Sequence, residues 1–148
     1  MDRENTIGFV TFKMEGQQIK YLMLHHEGHY WNFPKGRQIA GEDNLTTAKR
    51  ELAEETGITD IKIIDGFCHE YDYDFDTSIH DGVKEKVCKH AIFFLGQIND
   101  QQIRISDERI DFGWFDFQTA LTRAFFQEGQ DLLKKANEFL LKQQDFVL

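Results

Sequence analysis

A mixed α/β (α+β) fold is predicted by three features of the sequence. Short runs that alternate apolar with polar or small residues recur along the chain, and each reads as a strand. Two stretches, residues 44–56 and 118–142, have helical spacing instead. The strands and helices follow no regular strand–helix–strand period, so the sheet is expected to be mixed.

Each element follows from local chemistry. Residues 7–12 alternate like a strand, Glu15 and Gly16 make a turn, and residues 20–24 form the second arm of a hairpin. HHEGHYWNFPKG is a loop with an extended WNF segment, because Pro34 biases Phe33 away from the helical region. Asn44 is the expected N-cap of a helix that runs to about Thr56, where Gly57 ends it. Residues 61–64 and 66–75 read as two strands, and the polar stretch 77–86 as a loop. Residues 87–98, which contain AIFFL, form the expected buried strand. Residues 113–117 are a short strand, and 118–142 are helical.

Composition narrows the function. The chain has 148 residues, the usual size of one domain, and is 41% hydrophobic. Fourteen Phe against one Pro point to an aromatic core. No apolar run approaches the ~20 residues of a membrane span. The first residues, MDRENTIGF, carry no apolar leader core, so the expected location is the cytoplasm. Cys68 and Cys88, in strand-like surroundings, are expected to be reduced core residues. The net charge of −9 argues against broad binding to nucleic acid or to an anionic membrane. A phosphate substrate stays open, because divalent cations reverse the field locally.

The helix at 44–56 raises a problem of charge. With Glu51 at zero on a wheel of ~100° per residue, Glu54 falls near about −60° and Glu55 near about +40°. Leu45, Ala48 and Leu52 fall between roughly 60° and 120°. Three carboxylates therefore share an arc beside the apolar stripe, where like charges weaken a helix. A solvated acidic face is one reading. The other is a cluster of hard oxygen ligands suited to magnesium or manganese.

The surrounding spacing favours the second reading. Gly36, five residues, Glu42, seven residues and then Arg50-Glu51-Leu52-Ala53-Glu54-Glu55-Thr56-Gly57-Ile58 resembles the Nudix box at every defined position. The resemblance implies a Nudix hydrolase, an α/β/α sandwich that cleaves a nucleoside diphosphate linked to another group. It implies that Glu51, Glu54, Glu55 and the backbone carbonyl of Lys35 hold two or three Mg2+ or Mn2+ ions. Arg50 then orients the acids, and Glu42 and Gly36 shape the loop. Glu51 is the first choice of general base and Glu108 the second.

WNFPKGRQIAGED and IRISDERIDFGW resemble segments of the asymmetrical bis(5′-nucleosyl)-tetraphosphatases, the diadenosine tetraphosphate hydrolases. That resemblance implies a metal-site role for Glu108, six residues before Trp114. It implies phosphate contacts for Lys35 and Lys89, and base stacking by Tyr73, Phe93 and Phe126. Tyr73 is the favoured stacker, and Phe93 also reads as core. The acidic segment YDFDTSIHDGVKEK departs from the subfamily pattern. His25, His26 and His29 read as surface polar residues. The expected partner is a small nucleotide, with the chain acting as a monomer. The alternatives are an RNA 5′ pyrophosphohydrolase, a pyrophosphatase of oxidised nucleoside triphosphates, and a nucleotide sensor that binds without cleaving.

Overall fold

The computed structural model describes residues 3–26, 30–76, 86–99, 103–104 and 109–143. Their main feature is a seven-stranded mixed sheet. Its strands are β1 (Arg3–Glu15), β2 (Gln18–His26), β3 (Trp31–Asn32), β4 (Lys35–Arg37), β5 (Lys62–Asp76), β6 (Lys86–Gln97) and β7 (Arg109–Phe115). The helices are α1 (Asn44–Thr56), α2 (Phe117–Arg123) and α3 (Gln127–Lys142).

The alternation in β1 decides the layering. Ile7 and Phe9 point to one face, where they meet Ala48 and Leu52 of α1 with Leu22, Ile58 and Ile92. Val10 and Phe12 point to the other, where they meet Leu132, Leu133, Ala136 and Leu140 of α3. Each face of the sheet is thus covered by helix, the layered α/β/α arrangement. The large side chains Phe9, Phe12, Phe33, Phe93 and Tyr21 are fully buried. The Tyr21 hydroxyl donates to Asn137 Oδ1 at 2.7 Å, which satisfies its one polar atom.

The sheet forks at its centre. β1 and β2 pair antiparallel only from Phe12–Tyr21 to the turn at Gly16, where φ is +62°. Beyond the fork β1 pairs with β4 and β2 with β3, while β6 runs parallel along the other edge of β1. Residues 31–37 therefore fill the opening between two diverging strands. Lys35 and Gly36 are held there by main-chain bonds, not left in a free loop. Their approach is close: a methyl group at Gly8 would overlap the Pro34 carbonyl and Lys35.

Several boundaries differ from expectation. Asp43, not Asn44, caps α1, since its Oδ1 accepts from Thr46 N–H at 2.8 Å. The two strands expected at 61–64 and 66–75 are one strand, β5. A bulge between Ile63 and Cys68 absorbs Gly66, whose φ is +92°. The helix expected at 118–142 is broken. Ala124 and Phe126 take extended backbone angles, Ala124 bridges to Trp31, and Gln130 Nε2 donates to the Ala124 carbonyl at 2.9 Å. The cysteines are free as expected, but Cys68 is exposed and Cys88 only half-buried, because both face outward near the edge of the sheet.

If the fork depends on the close approach at Gly8, Gly8→Ala should lower stability by about 1–3 kcal/mol, the range for inserting a methyl into a packed site. Urea unfolding tests this. A parental midpoint would mean that β4 is not held tightly against β1.

Candidate active site

The acidic helix is organised by one arginine. Arg50 Nε donates to Glu42 Oε2 at 2.6 Å and Nη2 to Glu42 Oε1 at 3.0 Å, a two-point clamp on a single carboxylate. Nη1 donates to Glu51 Oε1 at 2.8 Å and to Glu54 Oε2 at 3.2 Å. Nη2 also reaches the Arg37 carbonyl at 2.9 Å. The guanidinium thus binds three acids and the preceding loop together.

The three box acids occupy three environments. Glu54 is 59% exposed at its side chain. Glu51 is largely covered, and burial pushes its carboxyl above the usual range while Arg50 pulls it back. Glu55 is only 4% exposed, and one of its oxygens accepts the Lys35 N–H at 3.1 Å. The Glu51 carboxylate lies against Gly36, so that any side chain there would overlap it. Gly57 ends the helix at φ +79°, with its N–H on the Ala53 carbonyl at 2.8 Å.

Glu42 is strongly perturbed. Hydrogen bonds from Arg50, and then from Thr47 and the Ile39 N–H, lower its pKa to about 2 against burial. Arg50 is correspondingly held above its usual value, chiefly by Glu42. The donor chemistry fits a hard divalent ion, with Glu51, Glu54, Glu55 and the Lys35 carbonyl on adjoining elements. Among the described residues no three such side chains converge on a ready-made ion site, and Arg50 bridges Glu51 and Glu54 by hydrogen bonds.

A pocket of about 310 Å³ opens on the α3 side of the sheet. Its walls are Tyr30, Trp31, Phe33, Tyr71, Tyr73 and Phe126, with Lys35 and Lys89 among its charged lining. Phe126 meets the edge of Tyr30 at 5.4 Å, and Tyr71 leans on Tyr73 at 5.8 Å. Lys89 lies opposite Tyr73 across the β5–β6 ladder, and burial lowers its pKa despite Glu4 at 3.9 Å. Lys35 joins the two regions: it lines the pocket while its N–H holds Glu55.

A model of the NUDIX domain matches residues 2–136. The chain belongs to the Nudix family. It is 34% identical to the asymmetrical bis(5′-nucleosyl)-tetraphosphatase of Mus musculus, over 86% of this chain and 85% of that one. It is 27% identical to an RNA pyrophosphohydrolase of Bartonella henselae, over 90% and 88%. The crystal structure of a C. elegans Ap4A hydrolase binary complex superimposes with a TM-score of 0.81 at 26% identity, covering 95% of this chain and 99% of that one. The chain is therefore a Nudix pyrophosphate hydrolase related to the Ap4A hydrolases.

The residues expected from sequence divide accordingly. Arg50, Glu51, Glu54, Glu55, Gly36 and Glu42 share one locus, and Lys35, Lys89, Tyr73 and Phe126 line the adjoining pocket. Phe93 does not: it is fully buried beneath the pocket, stacked on Tyr71 at 6.2 Å, and has no face open to a base. Glu108, His29 and residues 77–85 lie outside the described residues. His25 stacks on Trp31 at 4.8 Å. Tyr30 and Tyr71 were missed as pocket walls. Tyr71 was findable, since it lies two residues from Tyr73 and so shares its face of β5.

Glu42 offers a test of the clamp. Its folded pKa is depressed, so its contribution is complete above the unfolded value of about 4.5 and is lost as pH falls toward about 2. Glu42→Gln should lower the melting temperature near neutral pH by at least about 2 °C. The gap from the parent should narrow as pH falls from about 4.5. A gap independent of pH would assign the effect to packing.

Proposed function

We propose that the chain hydrolyses a dinucleoside polyphosphate, cleaving diadenosine tetraphosphate asymmetrically to ATP and AMP with the help of divalent metal ions. The observation that carries this is the junction at Lys35. One residue ties a base-sized aromatic pocket to the carboxylate helix, so a nucleoside in the pocket would direct its phosphates toward the acids. A volume of about 310 Å³ lies at the low end for ligand pockets, roughly 300–1,000 Å³, and suits one nucleoside rather than two.

In this reading Tyr73 and Phe126 bind the base by their ring faces, and Lys35 and Lys89 contact phosphate oxygens. Glu51, Glu54, Glu55 and the Lys35 carbonyl would hold two or three Mg2+ or Mn2+ ions, with Glu108 a further candidate ligand. Such ions, when bound, would offset phosphate charge and lower the pKa of coordinated water. Glu51 takes the proton of the attacking water. Its partial burial against Gly36 keeps the carboxylate in one place for that transfer. Arg50 orients the Glu51 carboxylate through Nη1. Glu55, bonded to the Lys35 N–H, keeps the phosphate-side segment in register with the helix.

The same account makes the chain a single catalytic domain that acts as a cytoplasmic monomer on a small nucleotide. Among the described residues no helix is long and apolar enough to cross a membrane. Removal of pyrophosphate from RNA 5′ ends is the second reading, favoured by the Bartonella henselae relative and opposed by the charge of −9.

Chelation should abolish hydrolysis, and magnesium or manganese should restore it. Chromatography of the diadenosine tetraphosphate reaction should show ATP with AMP. Two ADP, or no cleavage beside fast release of pyrophosphate from triphosphorylated RNA, would overturn the assignment. Tyr73→Ala should raise KM about tenfold, since base stacking contributes ~1–3 kcal/mol. An unchanged KM with lower stability would make Tyr73 a core residue only.

A further inference from the structure

The aromatic pocket has one polar wall that the hydrolytic chemistry does not use. Glu128, in the first turn of α3, lines it beside Tyr71 and Gly129. Its side chain is half-buried, and among the described residues no hydrogen bond or ion pair engages its carboxylate. Asp131, one turn on, is different: it accepts from Gln127 Nε2 at 2.9 Å. The Glu128 oxygens are not shut off from solvent, so a donor carried by a ligand in the pocket would replace water there. A carboxylate in the first turn also suits the helix dipole. That role needs only a position on α3, not a place in the wall of a pocket.

The pocket is electrically polar. Lys35 and Lys89 enter from β4 and β6, Glu128 from α3, and Asp74 stands at the exposed rim. Phosphates are drawn to the lysines, which leaves the base to face the carboxylate. An ionised carboxylate only accepts hydrogen bonds. Guanine presents two adjacent donors, N1–H and its 2-amino group, which match the two oxygens of one carboxylate. Adenine presents its 6-amino donor beside the N1 lone pair, which repels the second oxygen. Asn32, also in the lining, has Oδ1 on the Phe33 N–H at 2.8 Å, which turns its amide N–H donors outward. Both purines carry an N7 acceptor, so Asn32 does not discriminate between them.

We propose that Glu128 is a specificity-determining residue that reads the donor edge of guanine, so that the pocket takes guanosine nucleotides in preference to adenosine ones. The proposal rests on the nucleoside-pocket reading above. Diadenosine tetraphosphate remains a substrate, and diguanosine tetraphosphate is a better one.

Calorimetric titration with GDP and ADP in the presence of magnesium tests this without turnover. The parent should bind GDP at least about tenfold more tightly than ADP, the scale of one good bidentate contact. Glu128→Gln and Glu128→Ala should each bring that ratio within about threefold. The ratio of kcat/KM for the two dinucleotides should follow. A role confined to the helix dipole would shift the melting temperature and weaken both nucleotides equally. Equal affinities in the parent, tighter ADP, or a ratio that survives both substitutions would overturn the assignment. If GDP and ADP bind equally and Tyr73→Ala weakens both, the Glu128 assignment alone falls. If neither binds, the pocket reading falls with it.

Discussion

The contact set of the Arg50 guanidinium is the interaction on which the site depends. Three acids on one short helix, with a fourth in the loop before it, would repel one another without a cation. Like-charged neighbours on a helix cost a few tenths of a kcal/mol each, about 0.2–0.5. The guanidinium offsets that repulsion with charge-assisted hydrogen bonds to Glu42, Glu51 and Glu54. They also tie Arg37 and Glu42, ahead of the helix, to the helix itself. Lysine could not replace this, since it lacks the planar fork that holds two oxygens of one acid.

The fork in the sheet sets what that body faces. β1 and β2 diverge, and residues 31–37 are drawn into the gap with main-chain partners on both sides. Two close approaches make this possible. Gly8 admits the Pro34–Lys35 backbone, and Gly36 admits the Glu51 carboxylate. Lys35 is consequently fixed between a buried acid and an aromatic pocket. The pocket walls come from β3, β5 and the break between α2 and α3. The broken helix serves the site, because Ala124 bonded beside Trp31 places Phe126 at the pocket mouth.

Much of this was legible in the sequence, and the exceptions have physical causes. The strand alternation, the helix at 44–56, its stop at Gly57 and the box spacing depend on local patterns, which a sequence displays directly. The break at Ala124 does not, since it follows from a tertiary bridge to Trp31 while the local spacing is helical. The same holds for β5, where one glycine bulge looks like a gap between two strands. The acids were legible as a cluster but not as a sequence of environments. The wheel puts Glu51, Glu54 and Glu55 on one arc, yet Glu55 is buried and Glu54 exposed. That gradient depends on which neighbours arrive: the Lys35 N–H at Glu55, Gly36 at Glu51, and solvent at Glu54. Phe93 shows the limit of composition, since its place beneath the pocket depends on the parity of β6.

With no cation bound, Arg50 holds the acidic helix and the segment before it together. Thermal unfolding of Arg50→Lys in the presence of a chelator tests it most directly, because the charge is kept and only the fork is lost. A melting temperature at least about 4 °C below the parent is expected. A parental or higher melting temperature would show that the acids are a solvated face that needs no arginine to hold it, and would contradict the account.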